Sequence, residues 1–277
     1  MLVNGEPSQC ISIEDRGLLY GDGLFETILC DQGNPVLVDL HMQRLLNGCV
    51  RLHLPTPDES QLRQEIESVA AGEDCVIKVI ITRGVRARGY RFDHNDLTAS
   101  RIIYKSPCPQ IPDEYYLKGI QLGVSEFRLA DNKLLAGLKH LNRLEQVMAC
   151  YEWPQDCAEI LMLNNQEQII EGTMSNVFIH TDDGWKTPIL EYSGINGVMR
   201  QWLLMHAIDL NFQCTEANLT LKDLQQARSL FVCNSVIGIW PVKQFLNQQY
   251  VIDDSLIELI EKVQQRLSPH FLSWANE

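Results

Sequence analysis

The prediction of the fold begins with GLKHLNRLEQV, residues 137–147. In this stretch a cluster of basic residues is followed by apolar residues at the spacing of an amphipathic helix. Apolar residues follow at positions 141, 144, 148 and 151, a spacing that predicts a helix over 140–153. Lys139 then lies at a helix N-terminus, where the dipole disfavours a cation by roughly 0.3–1 kcal/mol. Lys139 is therefore either a solvated lysine at a loop–helix junction or an amine held neutral by burial and neighbouring cations. A neutral amine of that kind can form a Schiff base with an aldehyde.

Composition limits the function classes. The chain has 277 residues, 45% of them hydrophobic, and a formal net charge of −13, values that are typical of a globular protein with room for two domains. The acidic charge argues against nucleic acid and membrane surfaces as partners, so an anionic substrate needs a local basic patch.

We expect no signal peptide and no membrane span. Nine scattered cysteines without a CxxC pair predict a reduced cytoplasmic protein and no metal site.

The clearest break in the chain is PCPQIPDEYY, residues 107–116, where three prolines disfavour helix. We interpret it as a linker between an N-terminal domain (1–106) and a C-terminal domain (117–277). Strand-like and helical segments follow each other in both halves without a strict βαβ repeat. The sequence therefore predicts an α+β fold with two α/β domains.

Glu171 lies at the end of an apolar strand in IIEGTMSNVF, residues 169–178, within a predicted meander of strands at 159–164, 168–171 and 176–180. A carboxylate before a turn is commonly structural. The alternative is a carboxylate aimed at a ring nitrogen, which an electron-sink cofactor needs in order to stay protonated.

Three further segments could bind anions. SGINGVMR, residues 193–200, places two glycines before a helix, where free N–H groups and the dipole can hold a phosphate. CNSVIG, residues 233–238, could add side-chain donors, and Arg44 could supply a guanidinium, although an arginine on an amphipathic helix is usually solvated. TRGVRARGYR is a basic cluster that is either a charged loop or a carboxylate-binding fork; its arginines are Arg83, Arg86, Arg88 and Arg91.

Together these motifs resemble the fold-type IV pyridoxal-phosphate enzymes, a family of branched-chain aminotransferases, D-amino acid aminotransferases and aminodeoxychorismate lyases. The resemblance extends from about residue 15 to residue 242. It is carried by DRGLLYGDGLFET (15–27), HMQRL (41–45), RGYR (88–91), GLKHLNRLEQV (137–147), EGTMSNVF (171–178) and GVMR (197–200). KHLNRLEQV and RGY are most similar to the lyases, which release 4-aminobenzoate and pyruvate in folate synthesis.

The resemblance implies two α/β domains with pyridoxal 5'-phosphate between them, in a homodimer. Lys139 would form the Schiff base and Glu171 would contact the pyridine nitrogen. The phosphate would be bound by Arg44, by backbone groups of Val198 and Met199 and by the Ser235 hydroxyl. Arg88 or Arg91 would bind the carboxylates of a small substrate that carries two of them.

Two other functions are compatible with these residues. A D-amino acid or branched-chain aminotransferase would use the same cofactor groups, but Leu144 stands where branched-chain aminotransferases have a tyrosine. The remote alternative is a non-catalytic binding module, in which Lys139 has no chemical role.

Overall fold

The computed structural model describes residues 1–86, 89–92, 98–151 and 153–268. The chain divides into two compact units, Met1–Pro109 with Leu138–Asn142, and Gln110–Gly137 with Arg143–Glu277. The predicted domain bounds, 1–106 and 117–277, stay a prediction. The short segment that contains Lys139 belongs to the first unit, although it lies far along the chain from the rest of that unit.

Within the described residues, the first unit contains six strands and three helices. They are β1 (Leu2–Val3), β2 (Glu6–Pro7), α1 (Arg16–Tyr20), β3 (Gly23–Asp31), β4 (Asn34–Pro35), α2 (Val38–Arg51), α3 (Glu59–Ala70), β5 (Cys75–Thr82) and β6 (Ser100–Ser106). The strands form one antiparallel sheet in the order β2-β1-β6-β5-β3-β4. Helix α2 packs against β3 and buries Met42, Leu45 and Cys49, whose spacing of three and four residues defines one helix face.

The second unit is built on a larger mixed sheet. Its elements, among the described residues, are α4 (Asp113–Leu117), β7 (Ile120–Leu129), α5 (Leu144–Ala149), β8 (Glu159–Asn164), β9 (Gln168–Gly172), β10 (Asn176–Thr181), β11 (Gly184–Pro188), α6 (Val198–Met205), β12 (Cys214–Ala217), β13 (Leu219–Thr220), α7 (Leu221–Gln226), β14 (Ser229–Asn234), β15 (Gly238–Phe245), β16 (Gln248–Gln249) and α8 (Asp254–Leu267). The strand order is β12-β11-β10-β14-β15-β7-β8-β9-β13, and β16 pairs with β15. The three predicted strands occur as β8, β9 and β10, and β8 pairs antiparallel with β9. The predicted meander is wrong beyond β9, because β10 pairs with β11 and β14. The predicted fold class is confirmed.

The predicted helix over 140–153 is wrong at its start. Helix α5 covers only Leu144–Ala149, and Lys139 lies in an extended segment that pairs with β3. The Phe25 N–H donates to the Lys139 carbonyl at 3.0 Å, and the Leu141 N–H donates to the Gly23 carbonyl at 3.0 Å. Because these backbone groups are used by the sheet, Lys139 is not at a helix N-terminus, and the dipole argument does not apply to it.

The segment 107–116 also differs from the expectation that its prolines disfavour helix. Helix α4 begins directly after Pro112, which is extended at the N-cap position. A proline at a helix start removes no hydrogen bond, since the first N–H groups have no partner inside the helix. The assignment of this segment as an interdomain linker stays a prediction.

Three properties of the described residues bear on the class of protein. None of their helices has the length and hydropathy of a membrane span. No group of three or more His, Cys, Asp or Glu side chains among them could hold a metal ion. All nine cysteines are free thiols.

Candidate active site

Lys139 is fixed in the first unit by its neighbours on both sides. The paired backbone of β3 holds residues 139–141, and the Asn142 amide donates to the Gly21 carbonyl at 3.0 Å. The Lys139 amine lies over the Phe25 ring, 4.4 Å from its centroid. The lysine is half-buried, so its amine is held against the sheet and is not extended into solvent.

A second lysine contacts the same ring. The Lys78 amine lies 3.8 Å from the centroid of the Phe25 ring and 3.5 Å from the Thr27 hydroxyl. The amines of Lys78 and Lys139 are therefore both within 4.4 Å of the Phe25 ring centroid. Burial lowers the pKa of Lys78, and the charge of Glu26 opposes that shift. Lys78 was not recognised as a candidate from the sequence. The signal was a single cation inside the otherwise apolar strand CVIKVIIT, residues 75–82.

Arg44 is part of a buried cluster. Its Nε donates to one oxygen of Glu26 at 2.8 Å and its Nη2 donates to the other. His41, one helical turn before Arg44 on α2, lies 2.7 Å from the same carboxylate. Burial would raise the pKa of Glu26, but the charge of Arg44 and the contacts with His41 hold it well below its usual range. The arginine is therefore not a solvated residue of an amphipathic helix.

Glu171 is buried at the end of β9 in the second unit. One of its oxygens accepts a hydrogen bond from the Ile195 N–H at 2.7 Å, and the Gln146 amide lies 3.5 Å from the other. Arg143 is close enough for its charge to interact with this carboxylate. The motif NRLEQ thus supplies two neighbours of Glu171.

A second buried carboxylate shapes the loop that follows Glu171. Glu159 accepts hydrogen bonds from the Thr173 and Met174 N–H groups and from the Thr173 and Ser175 hydroxyls, at 2.7–3.2 Å. Burial raises the pKa of Glu159, and these donors oppose the shift. A Cβ on Gly172 would lie 2.7 Å from the Glu159 carboxyl carbon, so only glycine fits there. Glu159 was not recognised from the sequence, since a glutamate that begins a strand carries no distinctive signal.

The predicted phosphate loop is held rigidly in the second unit. Gly197 is the N-cap of α6, and Val198 and Met199 form its first turn, where N–H groups have no helical acceptor. The Asn176 amide donates to the Ile195 carbonyl at 2.9 Å, and a Cβ on Gly197 would overlap that amide. Ser235 lies in the turn between β14 and β15, beside Asn234. The side-chain oxygen of Asn234 accepts hydrogen bonds from the N–H groups of Val236 and Ile237.

The arginine cluster divides into structural and unassigned members. Arg83 is buried, forms a two-pronged pair with Asp22, and donates to the carbonyls of Leu52 and His53, so it anchors the fold. Arg88 lies outside the residues that the structure describes. Arg91 is exposed, and a role for either arginine stays a prediction.

Comparisons with known proteins agree with this combination of fold and residues. The model of the class IV amino-transferase family matches residues 23–245. An aminodeoxychorismate lyase from Vibrio harveyi is 34% identical, with 96% of this chain and 98% of the relative covered. A D-alanine aminotransferase from Bacillus licheniformis is 27% identical, with coverages of 99% and 97%. The crystal structure of 4-amino-4-deoxychorismate lyase from Pseudomonas aeruginosa has a TM-score of 0.91 and 39% identity, with coverages of 96% and 98%.

The fold and these similarities therefore define a class of cofactor-dependent amino-group enzymes. The chain belongs to the class IV aminotransferase family. The resemblance inferred from the motifs is confirmed, and the match to the family model spans Lys139, Glu171 and the predicted phosphate loop.

Proposed function

We propose that this protein is a pyridoxal-phosphate-dependent carbon–oxygen lyase that converts 4-amino-4-deoxychorismate to 4-aminobenzoate and pyruvate. The observation that carries the proposal is the Lys139 amine against Phe25, in a chain similar over nearly its whole length to two such lyases. The two relatives are 34% and 39% identical, whereas the aminotransferase compared above is 27% identical.

The residues present fit the cofactor. Lys139 offers an amine for the aldehyde, and Arg44 offers a guanidinium whose orientation is fixed by Glu26. Glu171 offers a buried carboxylate for the pyridine nitrogen, while the first turn of α6 and the Ser235 hydroxyl offer donors for the phosphate. The groups of the first unit thus suit an aldehyde and a phosphate, and those of the second unit suit a ring nitrogen and a phosphate.

Each group then has a role in the reaction. When bound, pyridoxal phosphate supplies the aldehyde and an electron-poor ring that spreads negative charge. Glu171, oriented by the Ile195 N–H, would keep the ring nitrogen protonated. The amine of Lys139 would remove the proton from C4 of the substrate. The C3–O bond then breaks, the substrate ring becomes aromatic, and Lys139 donates a proton to the methylene carbon of the departing enolpyruvate.

The substrate carries two carboxylates. Because the chain has a net negative charge, nearby cationic side chains must bind them. Lys78 is well placed for one of them, because its amine and that of Lys139 contact the same ring. We infer that Lys78 binds one carboxylate and that Arg88 or Arg91 binds the other. An amine in a partly buried position interacts strongly with an anion because little water screens the pair.

Product analysis tests the reaction. Purified protein with pyridoxal phosphate is expected to release 4-aminobenzoate and pyruvate in equal amounts from 4-amino-4-deoxychorismate, as measured by chromatography. Parallel reactions contain D-alanine or leucine with 2-oxoglutarate. Turnover confined to the amino acids would contradict the lyase proposal and favour an aminotransferase, whereas a colourless protein that reacts with none of them would favour a binding module.

We also propose a homodimer in the cytoplasm. Helix α5 and the residues after it expose apolar side chains at helical spacing, with Leu144 75%, Met148 50% and Tyr151 82% exposed. A second copy of the chain would cover this stripe. Sedimentation equilibrium is expected to give twice the chain mass, and a monomer at micromolar concentration would contradict the proposal. Leu144→Glu is expected to weaken the dimer.

The nine free thiols support a reducing location, which cell fractionation would test.

A further inference from the structure

The cluster around Arg44 is one of the most deeply buried polar groups of the first unit. The side chains of Glu26, His41 and Arg44 are 1%, 0% and 9% exposed. The Glu26 carboxylate is shared between the two partners on α2: both of its oxygens bind Arg44, and one of them also binds His41. The guanidinium therefore has a fixed plane and a fixed edge toward β3.

The protonation states in this cluster follow from its contacts. The Glu26 carboxyl is ionised because its pKa is held low, so it can only accept hydrogen bonds. His41 must therefore carry a proton on Nδ1. Burial, together with the charges of Arg44 and Lys139, lowers the pKa of His41 despite Glu26, which keeps the ring neutral with a bare Nε2. That Nε2 is buried without a hydrogen-bond partner among the described residues.

Such a cluster is a costly way to attach a helix to a sheet. The same face of α2 already buries Met42, Leu45 and Cys49, and an apolar side chain could replace a buried ion pair at similar or better stability. The charges of Lys139 and Arg44 both act on His41, so the cluster lies within electrostatic reach of the reactive lysine. This combination of cost and position indicates a role in the site.

We propose that Glu26 and His41 are positioning residues that hold the Arg44 guanidinium in the orientation that binds the cofactor phosphate. Glu26 takes the Nε and Nη2 donors and so directs Nη1 away from β3, while neutral His41 holds the carboxylate by its Nδ1–H. The inference rests on the proposed function, since it assumes that Arg44 binds the phosphate.

The test compares two aldehydes that differ only in the phosphate. The full chain, stripped of cofactor, is titrated with pyridoxal phosphate and with pyridoxal, and binding is followed by absorbance. Glu26→Gln is expected to raise the Kd of pyridoxal phosphate roughly tenfold, because it removes a charge-assisted contact with Arg44. The Kd of pyridoxal is expected to stay unchanged. Glu65→Gln is the matched control, since it breaks another largely buried Glu–Arg pair, with Arg101, in the same unit.

A second pair of variants does not depend on the folding of Glu26→Gln. His41→Asn keeps an N–H donor near Glu26 and is expected to retain phosphate-dependent affinity, whereas His41→Leu is expected to lose it. Equal losses for both aldehydes, equal losses in Glu65→Gln, or no loss in Glu26→Gln and His41→Leu would overturn the positioning role. A wild-type chain that binds neither aldehyde would instead overturn the proposed function.

Discussion

Lys139→Ala is expected to abolish the yellow colour of the protein with bound pyridoxal phosphate. In the proposed reaction the wild-type band arises from a covalent bond between the lysine amine and the aldehyde, and alanine has no amine. Because the proposed reaction also needs Lys139 to move protons at two atoms of the substrate, product formation is expected to fall by roughly 10²–10⁴-fold. Absorbance spectra before and after borohydride, together with the rate of 4-aminobenzoate release, measure both effects.

Lys118→Ala is the control for Lys139→Ala, since the side chain of Lys118 is 70% exposed and lies in the second unit. It should keep the absorbance band and the rate of the wild type. A Lys139→Ala protein that still fixes pyridoxal phosphate after borohydride would show that another lysine forms the bond. Lys78 is the obvious candidate, because it contacts the same ring.

Lys78→Met is expected to raise the KM for 4-amino-4-deoxychorismate roughly ten- to hundredfold. Removing a hydrogen bond to a charged group costs about 1.5–3 kcal/mol, and each 1.4 kcal/mol is a factor of ten. The methionine side chain has a similar length and can still pack on Phe25, so the loss reports the charge and not the packing. Steady-state kinetics give KM and kcat separately.

The absorbance band separates this role from cofactor binding. Lys78→Met is expected to keep the band, and Lys78→Arg, which keeps the charge, is expected to keep part of the affinity for substrate. A lost band would place Lys78 at the cofactor. An unchanged KM with a reduced kcat would also contradict carboxylate binding, since that interaction holds the substrate before the reaction begins.

Local sequence patterns predicted the elements whose partners are close in the chain. The strands around Glu171 are short apolar segments separated by turns, and they occur as β8, β9 and β10. The helix prediction at Lys139 was wrong because the partner of this segment, β3, lies more than a hundred residues earlier in the chain. A pairing over that separation cannot be detected from the periodicity of a short stretch of sequence. The apolar spacing of Leu144, Met148 and Tyr151 is real, but the described part of the chain leaves these residues exposed.

The site shows the same division. Motifs predicted Lys139, Arg44 and Glu171 as site residues, whereas the side chains that orient them depend on tertiary contacts. Glu26 lies in the quoted motif around β3, yet its contact with His41 and Arg44 requires α2 to fold back onto that strand. No single segment contains this information, so it becomes available only with the structure.

The most direct test of the central claim is to identify the lysine that bonds the cofactor. The protein with pyridoxal phosphate is reduced with borohydride and digested, and the labelled peptide is sequenced by mass spectrometry. One label is expected, on Lys139 in the segment GLKHLNR. A label on Lys78 or any other lysine, or no label on a protein that still releases 4-aminobenzoate, would contradict it.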